Sequence, residues 1–334
     1  MNPLPWLAEQ STQWSQQQNR LSHAYLLAGS SGLGITDFAK QMAKDLLCQQ
    51  GSFNACQQCQ HCNLFDKKKQ PDFFHLRVQD DKKEISIAQV RELITKLYAT
   101  SHQGGYKVAL IEEVEKLNTA SFNSLLKTLE EPAEHTVLIL TTHKVNRLPA
   151  TILSRCRKID FICPMLPEAM QWLSQALPQA DTPLLKKSLR VNWGAPLKAK
   201  DWIENKQFEQ EAEWQADLKS LTANQQTVSQ VVAKWLKFAQ PEEVFNYFYL
   251  WSISAVRAAL YQQKIAYNPN WLLFQKMVLQ AQEVWRGNAN KELVLESVCL
   301  AWLEHQLPDF DVNNKNEENV FNLLKGPLIR GFKV

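Results

Sequence analysis

Between residues 20 and 162 short apolar runs alternate with stretches whose apolar positions recur every three or four residues. His23-Ala24-Tyr25-Leu26-Leu27-Ala28 reads as a buried strand, and the helical pattern that follows it runs to about Leu47. Phe73–Leu76, Lys107–Ile111, Val137–Leu140 and Lys158–Phe161 are four further strands. Ser86 caps a helix with Val90, Leu93, Ile94 and Leu97 on one face, and another helix carries Phe122, Leu125, Leu126 and Leu129. Strands that are apolar throughout, separated by helices, imply a parallel sheet covered on both faces. Residues 1–163 are therefore expected to form an α/β domain.

From Pro167 the strand-like runs give way to helical patterning. Ala169–Leu177 and Pro183–Leu197 make a small helical unit, placed at 164–206. Beyond residue 207, Val232, Trp235, Leu236, Phe245, Phe248, Leu250 and Trp251 recur at helical spacing, and Leu293–Leu307 continues the pattern. Residues 207–334 are expected to be all-α. Six of the ten Gly fall before residue 106 and nine of the eleven Trp after residue 162, which fits turns in the first part and packed helices in the second. A chain of 334 residues accommodates such a two- or three-domain division.

Charge narrows the function. The net charge is only +3, and all of it belongs to residues 1–162, with 19 basic and 16 acidic side chains. That balance excludes a protein held on nucleic acid by bulk phosphate neutralisation. No apolar run reaches the roughly 18–20 residues of a membrane span, and the N-terminal Met-Asn-Pro-Leu-Pro-Trp-Leu lacks the pattern of a signal peptide. A reducing cytoplasm is the expected setting for the seven cysteines, so clustered thiols suggest metal or redox chemistry before disulfides.

The first strand ends in Gly29-Ser30-Ser31-Gly32-Leu33-Gly34-Ile35-Thr36. A glycine-rich loop between a strand and a helix can wrap phosphates with converging backbone N–H groups. The working form has a lysine that reaches the β- and γ-phosphates; here Ile35 takes its position, with Gly29, Gly32, Gly34 and Thr36 in place. An apolar side chain cannot offset charge in phosphoryl transfer, so hydrolysis at this loop is not expected. An ordinary glycine turn shows the same letters, but the strand before and helix after favour the phosphate loop. After the third strand come Glu112 and Glu113, where Mg²⁺ and an attacking water would be handled; the pair reads as a vestigial acidic motif.

Cys48, Cys56, Cys59 and Cys62 have the spacing C-x7-C-x2-C-x2-C, and four thiolates complete a tetrahedral zinc shell. His61 is a fifth candidate donor. An iron–sulfur cluster, a redox pair and unligated thiols compete, although the iron–sulfur run would place its fourth Cys downstream and before Pro. A structural zinc with no open position is the expectation. Cys156, Cys163 and Cys299 read as core thiols, and Lys67-Lys68-Lys69 as a solvated loop.

Leu125-Leu126-Lys127-Thr128-Leu129-Glu130-Glu131-Pro132, then Thr141-Thr142, then Leu153-Ser154-Arg155-Cys156, resemble bacterial clamp-loader subunits of the AAA+ superfamily over at least residues 20–163. Such loaders open a ring-shaped sliding clamp and place it on primed DNA for DNA polymerase III. The resemblance implies an AAA+ α/β domain with a zinc module, a small helical lid at 164–206 and a helical collar at 207–334. The motor subunits, gamma and tau, carry the loop lysine; a non-motor subunit keeps the zinc cysteines and Ser-Arg-Cys but has a degraded loop, and Ile35 points there. Arg155 then acts as an arginine finger on ATP bound by a neighbour, with Ser154 and Cys156 positioning it. Thr141 or Thr142 matches a vestigial first sensor. The later sensor region, Asn192-Trp193-Gly194-Ala195-Pro196-Leu197, lacks the motor subunits' arginine. The Trp residues after 162 serve core and collar packing. Implied partners are gamma/tau and the delta subunit, with sliding clamp and primer–template DNA met through the assembly. Zn²⁺ is the implied cofactor, with no functional ATP site and no independent catalysis in a cytoplasmic, nucleoid-associated component of the polymerase III holoenzyme. Two rivals remain at this point: an active AAA+ ATPase with a displaced lysine, Lys40, and a zinc-dependent nucleic-acid-binding module.

Overall fold

The computed structural model describes residues 4–304 apart from Ser52, Asp80, Asp81, Ala239, 261–267, Pro269 and Asn288, with Gln18, Asn19 and 257–260 described by backbone only. The C-terminal part of the expected collar, 305–334, and the end of the Leu293–Leu307 stretch lie outside the described residues.

Five strands, β1 (Ala24–Gly29), β2 (Phe73–Leu76), β3 (Lys107–Ile111), β4 (Thr136–Thr142) and β5 (Arg157–Phe161), form one parallel sheet of order β2-β3-β4-β1-β5. The helices of the first part are α1 (Ala8–Ser15), α2 (Ile35–Leu47), α3 (Gln60–Asp66), α4 (Ile87–Tyr98), α5 (Thr119–Glu130), α6 (Ala150–Leu153) and α7 (Leu166–Ala176). Those that follow are α8 (Thr182–Val191), α9 (Pro196–Glu204), α10 (Gln207–Thr222), α11 (Val228–Trp235), α12 (Glu243–Leu260), α13 (Asn270–Arg286) and α14 (Lys291–Glu304).

The period-2 alternation of the strands feeds two cores. Tyr25, Leu27, Val108, Leu110, Val137 and Ile139 pack on one face with α2 residues Phe38, Ala39 and Met42. Ala24, Leu26, Ala109, Ile111, Leu138 and Leu140 pack on the other with Val90 and Leu93 of α4 and Leu125 of α5. Ser86 and Gln89 close a capping box at the start of α4, as the sequence predicts. Because β4 lies between β1 and β3, the C-terminal ends of these three strands form one edge, the usual ligand edge of an open α/β sheet.

The chain divides into two compact units: Met1–Ala180 with Gly194–Lys198, and Asp181–Trp193 with the chain from Ala199 on. The segment 164–206 is thus shared, α7 belonging to the first unit and α8 to the second. Within it the stretch Pro183–Leu197 is two helices rather than one, because Trp193 (φ 56°) and Gly194 (φ 81°) turn the backbone left-handed between α8 and Pro196. Among the described residues no helix is long and apolar enough to cross a membrane.

The second unit is built around aromatic side chains, with Trp235, Phe245, Phe248, Trp271 and Phe274 all buried. The tryptophans there are mostly core, as expected; Trp193, 42% exposed, instead donates its indole N–H to Asn246 Oδ1 at 3.3 Å. Buried Asp217 fixes α10 against α11: its carboxylate accepts from Trp235 Nε1 at 2.9 Å and Lys234 Nζ at 2.9 and 3.0 Å. Lys234 is well exposed, so the ion pair itself adds little. The buried indole donor matters more. Asp217→Ala should therefore lower unfolding free energy by about 2–3 kcal/mol, and Asp217→Asn, which keeps an acceptor, by about 1 kcal/mol. Urea unfolding followed by tryptophan fluorescence measures both.

Candidate functional site

The loop between β1 and α2 joins strand to helix through left-handed glycines and is closely packed by its own chain. Gly32 and Gly34 each have φ +84°, which favours glycine. A Cβ on Gly29 would lie 2.5 Å from the Phe161 carbonyl oxygen, so the close approach of β5 also demands glycine. A Cβ on Gly32 would meet Lys198 Cβ at 2.7 Å, and one on Gly34 would meet Leu4 Cδ1 at 2.5 Å. The Gly32 carbonyl accepts from Leu197 N–H at 3.2 Å, and the Leu33 carbonyl from Trp6 Nε1 at 3.0 Å. Trp6 in turn meets Trp172 of α7 edge-on, with ring centroids 5.1 Å apart. Ile35 is buried in one apolar cluster with Leu7, Leu33 and Ala195, and Thr36 is half-buried beside it.

The carboxylates and threonines of the same edge are engaged within the protein. Glu112 Oε1 accepts from His75 Nε2 at 2.7 Å and lies 3.8 Å from Lys40 Nζ. Burial pushes the Glu112 carboxyl up, but the His75 hydrogen bond and the charges of His75, Lys40 and Arg77 hold it below the usual carboxylate range. Lys40 is therefore paired with Glu112, while buried Ile35 holds the position of the loop lysine. Glu113, left-handed at φ 48°, donates its N–H to Thr141 Oγ1 at 3.1 Å. Thr142 Oγ1 accepts from Lys144 N–H at 3.0 Å, and the His143 Nδ1 donates to the Gly29 carbonyl at 2.9 Å.

Arg155 stands just past the short helix α6. Its Nη1 donates to the Thr151 carbonyl at 3.0 Å and to Ser154 Oγ at 3.2 Å, and Nη2 lies 2.7 Å from Glu130 Oε1. The Arg155 side chain remains one-third exposed. Burial pushes the Cys156 thiol up to about 11, so it stays protonated near neutrality and is a poor nucleophile.

The four cysteines converge as their spacing predicts, with all four Sγ atoms within 4.8 Å of one another. A tetrahedral zinc with bonds of about 2.3 Å holds its sulfurs roughly 3.8 Å apart, and Cys48 and Cys59 Sγ are 4.0 Å apart. Backbone N–H groups of Cys56, Cys59 and Cys62 donate to Cys48, Cys56 and Cys59 Sγ at 3.3–3.4 Å, the polarity that thiolate ligands require. Burial would raise Cys59, but hydrogen bonds from Cys62 and Gln49 backbone bring it down to about 6; burial and Cys59 push Cys62 up to about 12. His61 is not part of the set: its Nδ1 donates to the Leu47 carbonyl at 2.9 Å. The module is tied down by Asp45, which accepts from Trp14 Nε1 and Ala55 N–H at 2.9 Å, and by Lys44, which bonds Gln57 and, at 2.7 Å, Asp66. The residues present fit a structural metal ion of the zinc type.

Two contributors escape the sequence reading. One is the N-terminal Leu4-Pro5-Trp6-Leu7 segment, whose only signal is an apolar cluster ahead of the first strand. The other is Glu130, which lies 25 residues from Arg155 and carries no signal beyond its place in the Leu-Glu-Glu-Pro run.

A parallel sheet of this order, with a glycine loop after β1, carboxylates after β3 and an arginine after α6, defines an AAA+ module whose loop carries no lysine at Ile35. The family described as DNA polymerase III, delta subunit, matches residues 7–164. The delta-prime subunit of DNA polymerase III from Pseudomonas aeruginosa is 32% identical over 326 residues, covering 89% of this chain and 96% of that protein, and the chain belongs to this family of delta-prime subunits. The delta-prime subunit of Escherichia coli is 34% identical over 195 residues, 58% of either chain. The gamma subunit of Buchnera aphidicola is 41% identical over 138 residues, 41% of this chain and 37% of that one.

Proposed function

We propose that this chain works as the non-hydrolysing subunit of a DNA polymerase III clamp loader. It supplies Arg155 as an arginine finger to ATP held by an adjoining gamma or tau motor subunit and, with the delta subunit, helps place the sliding clamp on primer–template DNA. It performs no reaction in its own loop. The observation that carries this reading is a pairing of opposites: Ile35 buried just past the C-terminal end of β1, where a lysine would meet phosphate, and Arg155 still accessible past α6, ahead of the parallel strand β5. The Glu112 carboxylate and the Thr141 and Thr142 hydroxyls, which in a motor subunit would serve Mg²⁺, water and γ-phosphate, here meet His75, the Glu113 backbone and the Lys144 backbone. Lys40 is bound up with Glu112, so the observation that a displaced lysine would need is missing.

Zn²⁺ held by Cys48, Cys56, Cys59 and Cys62 is structural in this reading, since four thiolates leave no position for substrate. Residues 207–334 form the collar that joins the other subunits, and the assembly works in the cytoplasm on nucleoid DNA.

The loop itself provides a test. Ile35→Lys should not create ATP binding, because Leu4, Leu33 and Leu197 stand about the position and would bury the ammonium without a partner. The variant should lose about 2–4 kcal/mol of stability in thermal or urea unfolding. Recovery of ATP binding and turnover by the isolated variant would show that the lysine alone had disarmed the loop and would overturn the account of a filled site.

A further inference from the structure

The Arg155 guanidinium is occupied within its own subunit. Three of its N–H directions are used: two from Nη1, to the Thr151 carbonyl and Ser154 Oγ, and one from Nη2, to the Glu130 carboxylate at 2.7 Å. Glu130 closes α5, so the cation sits at the C-terminal end of that helix, with Thr151 of the four-residue α6 beside it. Unpaired carbonyls at a helix C-terminus attract positive charge, and the carboxylate of Glu130 adds to that field. The Glu130 side chain is about half exposed. An ion pair so open to water is held by a small free energy and can be exchanged. A γ-phosphate carries more charge than one carboxylate and accepts two guanidinium N–H bonds at once, so it can displace Glu130.

We infer that Glu130 is a positioning residue that parks Arg155 in cis, so that a neighbour's γ-phosphate has to take the guanidinium from this carboxylate before hydrolysis proceeds. The inference rests on Arg155 being the arginine finger. It deepens that reading by making the finger a two-position element: one position is on Glu130, the other on the phosphate. Thr151 of α6 and Ser154 at its C-terminal cap hold Nη1 in the parked position, and because the guanidinium is planar and rigid these contacts are given up together with Glu130 when it moves onto phosphate. Removing the Glu130 charge should make the phosphate-bound position easier to reach, by a factor set by the strength of one exposed ion pair.

The test uses the reconstituted loader, with motor subunits, delta and the full chain carrying Glu130→Gln. ATP hydrolysis in the absence of DNA should rise two- to fivefold over wild type. Glu130→Asp, which retains the carboxylate, should stay near the wild-type rate. Glu130→Gln added to Arg155→Ala should do nothing further, since there is no finger left to release; a merely structural role for Glu130 would still show in that background. Hydrolysis unchanged or slowed by Glu130→Gln, with Arg155→Ala strongly impaired, would overturn the parking role and leave the finger standing. Full hydrolysis with Arg155→Ala would instead remove the finger assignment, and the parking role with it.

Discussion

Arg155→Ala is expected to leave the clamp loader assembled but to lower hydrolysis at the one ATP site that this chain faces by about 10³-fold or more. The reason is local charge. In phosphoryl transfer negative charge collects on the γ-phosphate oxygens, and a guanidinium supplied in trans stabilises it in a site from which water has been excluded. Arg155→Lys should fare little better, since an ammonium cannot make the paired N–H contacts of a planar guanidinium. Under the proposed role only the adjoining site loses its finger, so total ATPase should fall by that site's share rather than to zero. Single-turnover hydrolysis with DNA and clamp present, alongside gel filtration of the complex, separates the two effects. An unaltered rate in an intact complex would sink the finger assignment.

The second large effect concerns the cysteine module. Purified protein should carry one zinc per chain by elemental analysis, and iron with sulfide would refute the zinc reading. Cys59→Ser or Cys62→Ser should lose the metal and several kcal/mol of local stability, because metal-binding free energy in such a module is folding free energy. The loss should be local: the Cys48–Cys62 segment hangs from the end of α2 and from Asp45, whereas the sheet has its own two cores. Hydrogen exchange should therefore show rapid exchange confined to residues near 48–66, with β1, β3 and β4 still protected. Since thiols must give up protons to bind zinc, chelator competition should find weaker metal retention as pH falls.

Much of this architecture is legible in the residues because the sheet is buried on both faces. Phe73–Leu76 and Lys107–Ile111 can be delimited to the residue, since apart from His75 and the leading Lys107 each run is apolar. The cysteine spacing likewise announces its own geometry, because a C-x2-C step leaves two sulfurs few places to be. What escapes is contact between segments with no shared periodicity. Nothing in Leu4-Pro5-Trp6-Leu7 says that it will lie on Gly34, and nothing in Glu130 says that it will meet Arg155. Lys107 looks like a strand's polar first residue; it is buried, and its ammonium satisfies the C-terminal carbonyls of α4 at Leu97 and Ala99. The left-handed turn at Trp193-Gly194 is hidden for a related reason, since a single left-handed tryptophan has no sequence signature.

The Leu4–Leu7 segment has a kinetic meaning as well as a steric one. It belongs to the same molecule as the loop it covers, so it rebinds at an effective concentration set by a short tether, on the order of millimolar, whatever the dilution of the protein. A free nucleotide would have to outweigh that effective concentration, each divided by its own dissociation constant, and a closure also held by Trp6 on Leu33 and by Leu197 on Gly32. The loop behaves as a lock with its key permanently attached. Under the proposed role, changes in nucleotide supply would act on the neighbouring motor subunits rather than through this loop.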